Sequence, residues 1–138
     1  DAGTIVTKIA SVHPAFELII DRGADYDDLD ALTMIADNAW CAGVVLGAEI
    51  SGWRDLDLNG LPVQLFWNDE PPVAAKVGDA NPLDSLAWVA NLVTSMGNSM
   101  RAGEIVITGS VIKTRYPETG GQFRYDIAGL GDVLLEIA

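Results

Sequence analysis

The sequence contains little basic charge. Over its 138 residues, eight Lys and Arg stand against 20 Asp and Glu, a formal net charge of −12. A negative field of this size repels phosphate backbones and anionic membrane surfaces over about one Debye length, ~8 Å in physiological salt. The charge balance therefore excludes nucleic acid and membrane surfaces as expected partners.

Cysteine and histidine are almost absent. Cys41 is the only cysteine and His13 the only histidine, so neither an internal disulfide nor a zinc site is available. We therefore expect a soluble protein of a reducing compartment, the cytoplasm. The motifs GxxxxGK[ST], GxGxxG, GxSxG and HExxH are also missing, so nucleotide-loop, Rossmann, α/β-hydrolase and zincin mechanisms have no support in the sequence.

Apolar residues are plentiful, at 49% of the chain, with 20% charged residues and a mean hydropathy of +0.24. A chain of this length and composition builds one core that buries roughly 65–70% of the unfolded surface. No repeat or linker divides it. We expect a single domain over residues 1–138.

Three segments have the apolar spacing of helices. The first is short and ends before Pro14. The second starts with acids that suit a helix dipole, and the third starts with Asn81-Pro82 and ends near Gly97. The spacing predicts helices within residues 1–13, over Asp27–Trp40, and over Leu83–Met96, the last of them buried.

Short β-rich runs fill most of the remainder. Alternation predicts a hairpin within Leu56–Val77, turning at Asn59-Gly60. Two further runs lie within Phe123–Ile137, and others at Ala15–Ile20, Ala42–Ile50 and Ile105–Thr108. Six or seven strands with two main helices and no regular βαβ order predict an α+β fold. Its sheet should be mixed, mostly antiparallel, and curled or barrel-like.

Most residues that suggest chemistry have simpler structural explanations. His13 has no identifiable partner, Cys41 has no basic neighbour, and the acids of Asp25–Asp30 lack the Gly and Glu of a calcium loop. Glu17 differs because it interrupts the apolar run AFELII. It either faces solvent from a one-sided strand or lies inside, where an ion or hydrogen bonds must offset its desolvation.

Four phrases in order resemble one enzyme family. They are HPAFELIIDRG, IADNAWCAGVVLG, NPLDSLAWVANLVTSMGNSMRAGEIVITGS and FRYDIAGLGDVLLEIA, and together they cover nearly the whole chain. The chain is similar to the C-terminal half of the 2-keto-4-pentenoate hydratase / 4-oxalocrotonate decarboxylase family. That family is part of the fumarylacetoacetate hydrolase superfamily, whose C-terminal fold the resemblance implies.

The resemblance implies a metal-dependent lyase. It would add water to a 2-hydroxypenta-2,4-dienoate-type 2-keto acid in aromatic-compound catabolism. Mg²⁺ or Mn²⁺ would act as the Lewis acid that stabilises the dienolate. A 4-oxalocrotonate-type decarboxylase or an acylpyruvate hydrolase is the alternative within the superfamily. The resemblance also implies a homo-oligomer or a complex with a partner subunit of the family.

Site residues follow from the same resemblance. Glu17 is implied as a metal ligand and catalytic residue. The turn of Thr108, Gly109 and Ser110 is implied to bind substrate, with Ser110 also catalytic. Arg22 is implied to brace its loop, and Asp37 and Asn38 to support the structure rather than touch substrate.

The sequence departs from the family at the metal site. Relatives carry two further ligands in a Glu-x-Glu pair well before the third glutamate, and a catalytic lysine farther upstream. Only 16 residues precede Glu17, and Trp40-Cys41 replaces smaller residues after the D-N-A phrase. We therefore expect this chain alone to lack a complete active site. A non-catalytic subunit or an inactive fragment remains an open alternative.

Overall fold

The computed structural model describes residues 1–138 and contains three α-helices and six β-strands. Short 3-10 turns join several of them. None of the helices combines the length and the hydropathy that spanning a bilayer requires. In chain order the elements are α1 Ala2–Ile5, β1 Ala15–Ile19, α2 Ala31–Ala36, β2 Cys41–Leu46, β3 Pro62–Trp67, β4 Val73–Lys76, α3 Pro82–Ser95, β5 Gln122–Ile127 and β6 Gly131–Glu136.

The strands form two antiparallel sheets. Four strands pair in the order β4-β3-β5-β6, and β1 pairs with β2 in a separate ribbon. In the ribbon Glu17 lies opposite Val44, and the register shifts between Leu18 and Ile19. The prediction of a mixed α+β fold with antiparallel strands is confirmed. The barrel-like part of that prediction is not, because no closed barrel forms.

Two strand predictions are wrong. Leu58–Gly60 is a 3-10 turn rather than the end of a hairpin strand, and the β3–β4 hairpin turns instead at residues 68–72. Ile105–Thr108 is not a strand, because a β-prone run becomes a strand only where another strand pairs with it. By contrast, β1, β5 and β6 lie within a residue or two of the ranges predicted for them.

For α3 the predicted bounds agree with the structure, but the predicted burial does not. α3 begins at Pro82 as predicted, and the chain turns to φ +77° at Gly97. Its predicted burial is wrong, since Ala87 is its only buried residue. The Asp27–Trp40 helix is also shorter than predicted. α2 begins after Asp30, whose carboxylate accepts hydrogen bonds from the backbone of Leu32 and Thr33.

The core lies between the four-stranded sheet and the loops that follow the ribbon. The buried cluster at its centre consists of Ile50, Trp53, Leu58, Val63 and Ile127. The ribbon packs against the larger sheet through aromatic rings. The Phe16 ring centroid lies 6.3 Å from that of Phe123 and 6.2 Å from that of Tyr125. These contacts hold β1 beside β5.

The chain leaves a large surface exposed. Its accessible area is 9301 Å², whereas a folded monomer of this mass exposes about 6,900 Å². Only 11 of the 138 residues are buried. Trp88 and Leu92 on α3, and Met96 at its C-cap, are 65%, 42% and 69% exposed and lie four residues apart on one face. This excess of exposed apolar area suits contact with another polypeptide.

Candidate functional site

A single large cavity lies between β1, α3, the segment that follows α3 and the inner side of β5 and β6. Its volume is about 1570 Å³, and 35 of its 54 lining residues are hydrophobic. Pockets for small molecules usually measure about 300–1,000 Å³. The cavity therefore has space for a small ligand and for additional polypeptide beside it.

Glu17 lines this cavity from β1. Alternation along the strand places Phe16 and Leu18 on one side and Glu17 on the other. The side chain is exposed and has neither a hydrogen bond nor an ion pair within the chain. The sequence left open whether Glu17 faces solvent or lies inside the protein. In the structure it faces solvent at the wall of the cavity.

The Thr108–Ser110 turn lines the same cavity. Gly109 has φ +105°, a backbone conformation that glycine adopts without strain. The Ser110 hydroxyl donates a hydrogen bond to the carbonyl of Ile112, so its oxygen lone pairs remain available as acceptors. Thr108 is half-buried. The structure thus brings Glu17 and the whole turn to the walls of one cavity.

A polar cluster that sequence reasoning missed also lines the cavity. The Tyr26 hydroxyl donates to Asp21 Oδ2 at 2.6 Å, and the backbone N–H of Gly23 donates to the same carboxylate at 3.0 Å. These bonds lower the pKa of Asp21. The carboxylate, followed by the Tyr116 hydroxyl, raises the pKa of Tyr26 well above its usual value. The cluster therefore ties Tyr26 to the loop after β1.

Other predicted residues have structural partners outside the cavity. Arg22 Nη1 lies 3.1 Å from Asp37 Oδ1, and Asn38 Nδ2 donates to the Cys41 carbonyl at 3.1 Å. These contacts agree with the supporting roles expected for the three residues. They hold the loop after β1 against the end of α2.

His13 also has structural partners. Its Nδ1 lies 2.9 Å from the Gly47 carbonyl oxygen, and its Nε2 lies 2.8 Å from Ser11 Oγ. Both ring nitrogens are therefore occupied by groups of the chain itself. This agrees with the structural role that the sequence favoured for this histidine.

The chain alone does not present a divalent-cation site. Glu17, Asp21 and Glu104 are the carboxylates that line the cavity, and nowhere do three or more His, Cys, Asp or Glu residues gather to hold an ion. The Asp21 oxygens already accept two hydrogen bonds, and Glu104 accepts one from the Arg101 backbone N–H. Mg²⁺ prefers several oxygen ligands in octahedral geometry, and one free carboxylate does not provide them.

Sequence comparison identifies enzymes as relatives. A 2-keto-4-pentenoate hydratase of Burkholderia vietnamiensis is 31% identical over 133 residues, which cover 94% of this chain and 50% of the relative. A 4-oxalocrotonate decarboxylase of Pseudomonas putida is 29% identical, covering 95% and 50%. No family model matches the chain. The chain spans about half the length of the curated relatives it matches.

Structural comparison agrees. The 4-oxalocrotonate decarboxylase of Pseudomonas putida G7, complexed with magnesium and adipate, superposes with a TM-score of 0.87 at 26% identity. The match covers 99% of this chain and 52% of the decarboxylase. The same enzyme has also been solved with calcium and acetate. The resemblance to hydratases and decarboxylases of this kind is therefore confirmed, over a part of their length only.

Proposed function

We propose that this chain forms part of the active site of a metal-dependent hydratase. Its substrate would be a 2-hydroxypenta-2,4-dienoate-type 2-keto acid from aromatic-compound breakdown. The observation that carries the proposal is the position of Glu17 and the Thr108–Ser110 turn on one cavity. These are the residues that match the family phrases, and they come from parts of the chain some ninety residues apart.

The ligands of the solved relative support the chemical class. The Pseudomonas putida decarboxylase is complexed with magnesium and adipate in one structure and with calcium and acetate in another. Hard divalent cations bind oxygen ligands, and carboxylates provide such ligands. We propose Mg²⁺ as the cofactor and a small organic acid as the substrate.

We further propose that the remaining metal ligands come from polypeptide outside residues 1–138. Four observations support this. Glu17 is a free carboxylate without companions, the cavity exceeds the usual size of a small-molecule pocket, the exposed area is about a third larger than expected for this mass, and the relatives are about twice as long. Covering polypeptide would fill the cavity in part and contribute acids beside Glu17.

The residues of this chain would bind and orient the substrate. The hydroxyl of Thr108 and the backbone N–H groups of its turn are donors for a substrate carboxylate. Ser110 would bind the same group by turning its hydroxyl proton from the Ile112 carbonyl to the substrate. The apolar walls would exclude water from the carbon chain of the substrate. Glu17, with no partner of its own, would be available at the cavity wall as a ligand or a proton acceptor.

Decarboxylation is the second candidate reaction. It is favoured by the TM-score of 0.87 to a solved decarboxylase. An acylpyruvate hydrolase shares the same superfamily, and a fold hosts several reactions through changes in its site. Product analysis with 4-oxalocrotonate and with 2-hydroxypentadienoate separates the two candidates, since release of CO₂ identifies a decarboxylase and hydration without gas a hydratase.

The proposal is tested by metal titration of the native protein that contains this chain, with Glu17→Gln as the variant. We expect Mg²⁺ affinity and turnover to fall by at least about tenfold, because an amide replaces the anionic ligand. Glu49→Gln is the matched control, since Glu49 is also exposed and is not a lining residue of the cavity. Equal affinity and turnover for Glu17→Gln and wild type would refute the role of Glu17.

A non-catalytic subunit is the candidate from another class. The exposed apolar face of α3, formed by Trp88, Leu92 and Met96, supports it, since a chain that retained only a packing surface would still need such a face. A fall in Mg²⁺ affinity and turnover in Glu17→Gln would argue against this candidate, because a non-catalytic subunit has neither to lose.

A further inference from the structure

Ile20, Tyr26 and Trp40 form an aromatic corner of the large cavity, and all three line it. The backbone N–H of Ile20 donates to the Trp40 carbonyl at 2.9 Å, and the rings of Tyr26 and Trp40 contact each other. Ile20 is 56% exposed and Tyr26 is 53% exposed. The aromatic corner therefore presents apolar surface to the cavity that the chain itself leaves half uncovered.

Both rings of the aromatic corner are held in place. Their centroids lie 5.4 Å apart with the ring planes at 65°, which is an edge-to-face contact. The Tyr26 hydroxyl donates to Asp21 Oδ2 at 2.6 Å, and this bond anchors the far end of its ring. An edge-to-face contact covers one face of one ring only, so other ring faces remain free for a further aromatic group. The aromatic corner is thus preorganised for a flat group of a ligand.

Trp40 reaches this position through an unfavourable backbone conformation. Its φ is +63°, in the left-handed region that bulky residues rarely adopt, and Asn38 and Ala39 before it are left-handed as well. The Trp40 N–H donates to the Asp37 carbonyl at 2.9 Å, which helps to hold the turn. Strain of this kind persists where the surroundings enforce it, and it is common at ligand sites. A glycine would relieve the strain, but it would not place an indole ring on the cavity wall.

Core packing does not account for the aromatic corner. Phe16, Phe123 and Tyr125 also line the cavity, but their rings pack together and hold β1 beside β5. Tyr26 and Trp40 belong neither to the buried cluster nor to the hydrophobic residues packed against it. A pair of fixed rings outside the core and open to a cavity suits contact with a ligand.

The position of the aromatic corner indicates which part of a substrate it would contact. Ile20 follows Glu17 by three residues of extended chain, which is about 10 Å at 3.3 Å per residue. A keto acid bound at Glu17 and the Thr108–Ser110 turn would therefore reach the aromatic corner with the far end of its carbon chain. Asp21 beside the rings already accepts two hydrogen bonds and carries a negative charge. The aromatic corner thus suits an uncharged group rather than a second carboxylate.

We propose that Tyr26 and Trp40 bind an aromatic ring at the end of the substrate remote from its carboxylate. The cavity then prefers aryl-substituted 2-hydroxydienoates to the unsubstituted pentadienoate. This inference rests on the proposed function in taking the cavity as the substrate site. It names Trp40 as a specificity-determining residue.

The test compares two monocarboxylate probes that share the same conjugated diene. One is 5-phenylpenta-2,4-dienoate, which ends in a ring, and the other is hexa-2,4-dienoate, which ends in a methyl group. Their binding to the native protein that contains this chain is measured by calorimetry in metal-free buffer, so that turnover plays no part. We expect the phenyl probe to bind at least about tenfold more tightly, because its ring is buried against two aromatic side chains.

Variants of the turn assign this preference to the indole ring. Trp40→Gly should remove most of the preference without weakening the binding of hexadienoate, and it should fold because glycine suits the left-handed backbone. Trp40→Phe keeps an aromatic ring at the same position and should retain most of the preference. Ala39→Gly is the matched control, since Ala39 has φ +48° in the same turn and is not a lining residue.

Three results would overturn the proposal. Equal binding of the two probes by the wild-type protein would mean that polypeptide or solvent, and not the substrate, lies against the aromatic corner. A preference that is unchanged in Trp40→Gly would show that the ring is bound elsewhere. A preference reduced equally by Ala39→Gly would show that the turn, and not the indole ring, is responsible.

The outcome is separable from that of the proposed function. A phenyl preference that Trp40→Gly abolishes, together with normal Mg²⁺ binding in Glu17→Gln, would support the aromatic corner and refute the role of Glu17. Equal binding of the two probes, together with weakened Mg²⁺ binding in Glu17→Gln, would refute the aromatic corner and leave the role of Glu17 supported.

Discussion

A β-carbon placed on Gly47 would lie 2.3 Å from the carbonyl oxygen of Asp132. Gly47 follows β2, and Asp132 lies in β6, so the ribbon and the four-stranded sheet meet here with only a hydrogen atom's space between their backbones. The same β-carbon would lie 2.8 Å from Cγ of Pro14. Glycine is required at this position because the neighbours on both sides are rigid.

Gly47→Ala should therefore weaken the contact between the two sheets. The clash involves backbone atoms of β6, which cannot rotate away as a side chain can, so we expect a loss of about 1–3 kcal/mol in the free energy of unfolding. Urea denaturation followed by tryptophan fluorescence measures it.

Gly43→Ala is the matched control for this change. Gly43 lies in β2, the strand that precedes Gly47, and its added β-carbon would meet only Leu18 Cδ1 at 4.0 Å, an ordinary contact distance. A Gly47→Ala variant no less stable than Gly43→Ala would show that the ribbon is not fixed against β6 at this point.

Asp30 should make α2 sensitive to acid. The backbone N–H groups of Thr33 and Leu32 donate to its carboxylate, and these bonds lower the pKa of Asp30 below its usual 3.8. A lowered pKa in the folded state stabilises the fold above pH 3.8, and this contribution is lost as the pH falls through the folded pKa. The amide chemical shifts of Leu32 and Thr33 should follow that loss.

Asp30→Asn separates the cap from its charge. Asparagine caps a helix about as well as aspartate, so the variant should keep α2 at neutral pH and lose the acid-dependent change. Asp30→Ala should lose α2 at every pH. Identical acid titrations of wild type and Asp30→Asn would contradict this account.

Tyr125 should limit stability at high pH. Burial raises its pKa to about 12 from an ordinary value of 10.0. The neutral phenol is therefore favoured in the folded state, and the stability this contributes is present below pH 10 and is lost as the pH rises towards 12. Tyr125→Phe has no such group, so the difference in unfolding free energy between wild type and variant should shift against wild type across this range.

The exposed face of α3 should mediate association. The excess of accessible area, about 2,400 Å² over a typical monomer of this mass, is larger than the ~800 Å² that each partner buries in a standard interface. Trp88→Glu combined with Met96→Glu should lower the sedimentation coefficient of the assembled protein. Asn91→Glu, an exposed position on the same helix, should not. Equal sedimentation of both variants and wild type would exclude this face from the interface.

The sequence predicted the ends of elements where single residues determine them. Pro82 and Gly97 set the ends of α3, and the glycine turn between β5 and β6 separates two alternating runs. Ile105–Thr108 failed as a strand because strand formation depends on a partner that no local pattern reveals. The burial of α3 failed for a related reason, since an apolar helix is buried only if something covers it.

The candidate site was predictable in part. The resemblance singled out Glu17 and the Thr108–Ser110 turn, which the structure places on one cavity. The cluster of Asp21 and Tyr26 was overlooked because no motif marks the hydrogen bond that joins them.

Residues 96–121 contain no helix or strand, yet they supply Thr108, Arg115 and Tyr116 to the cavity wall. Segments of this kind accept substitutions and changes of length more readily than paired strands do. Selectivity for ligands can therefore change during evolution through substitutions in residues 96–121, while the strands stay the same. Grafting the stretch between relatives would transfer ligand preference without redesign of the scaffold.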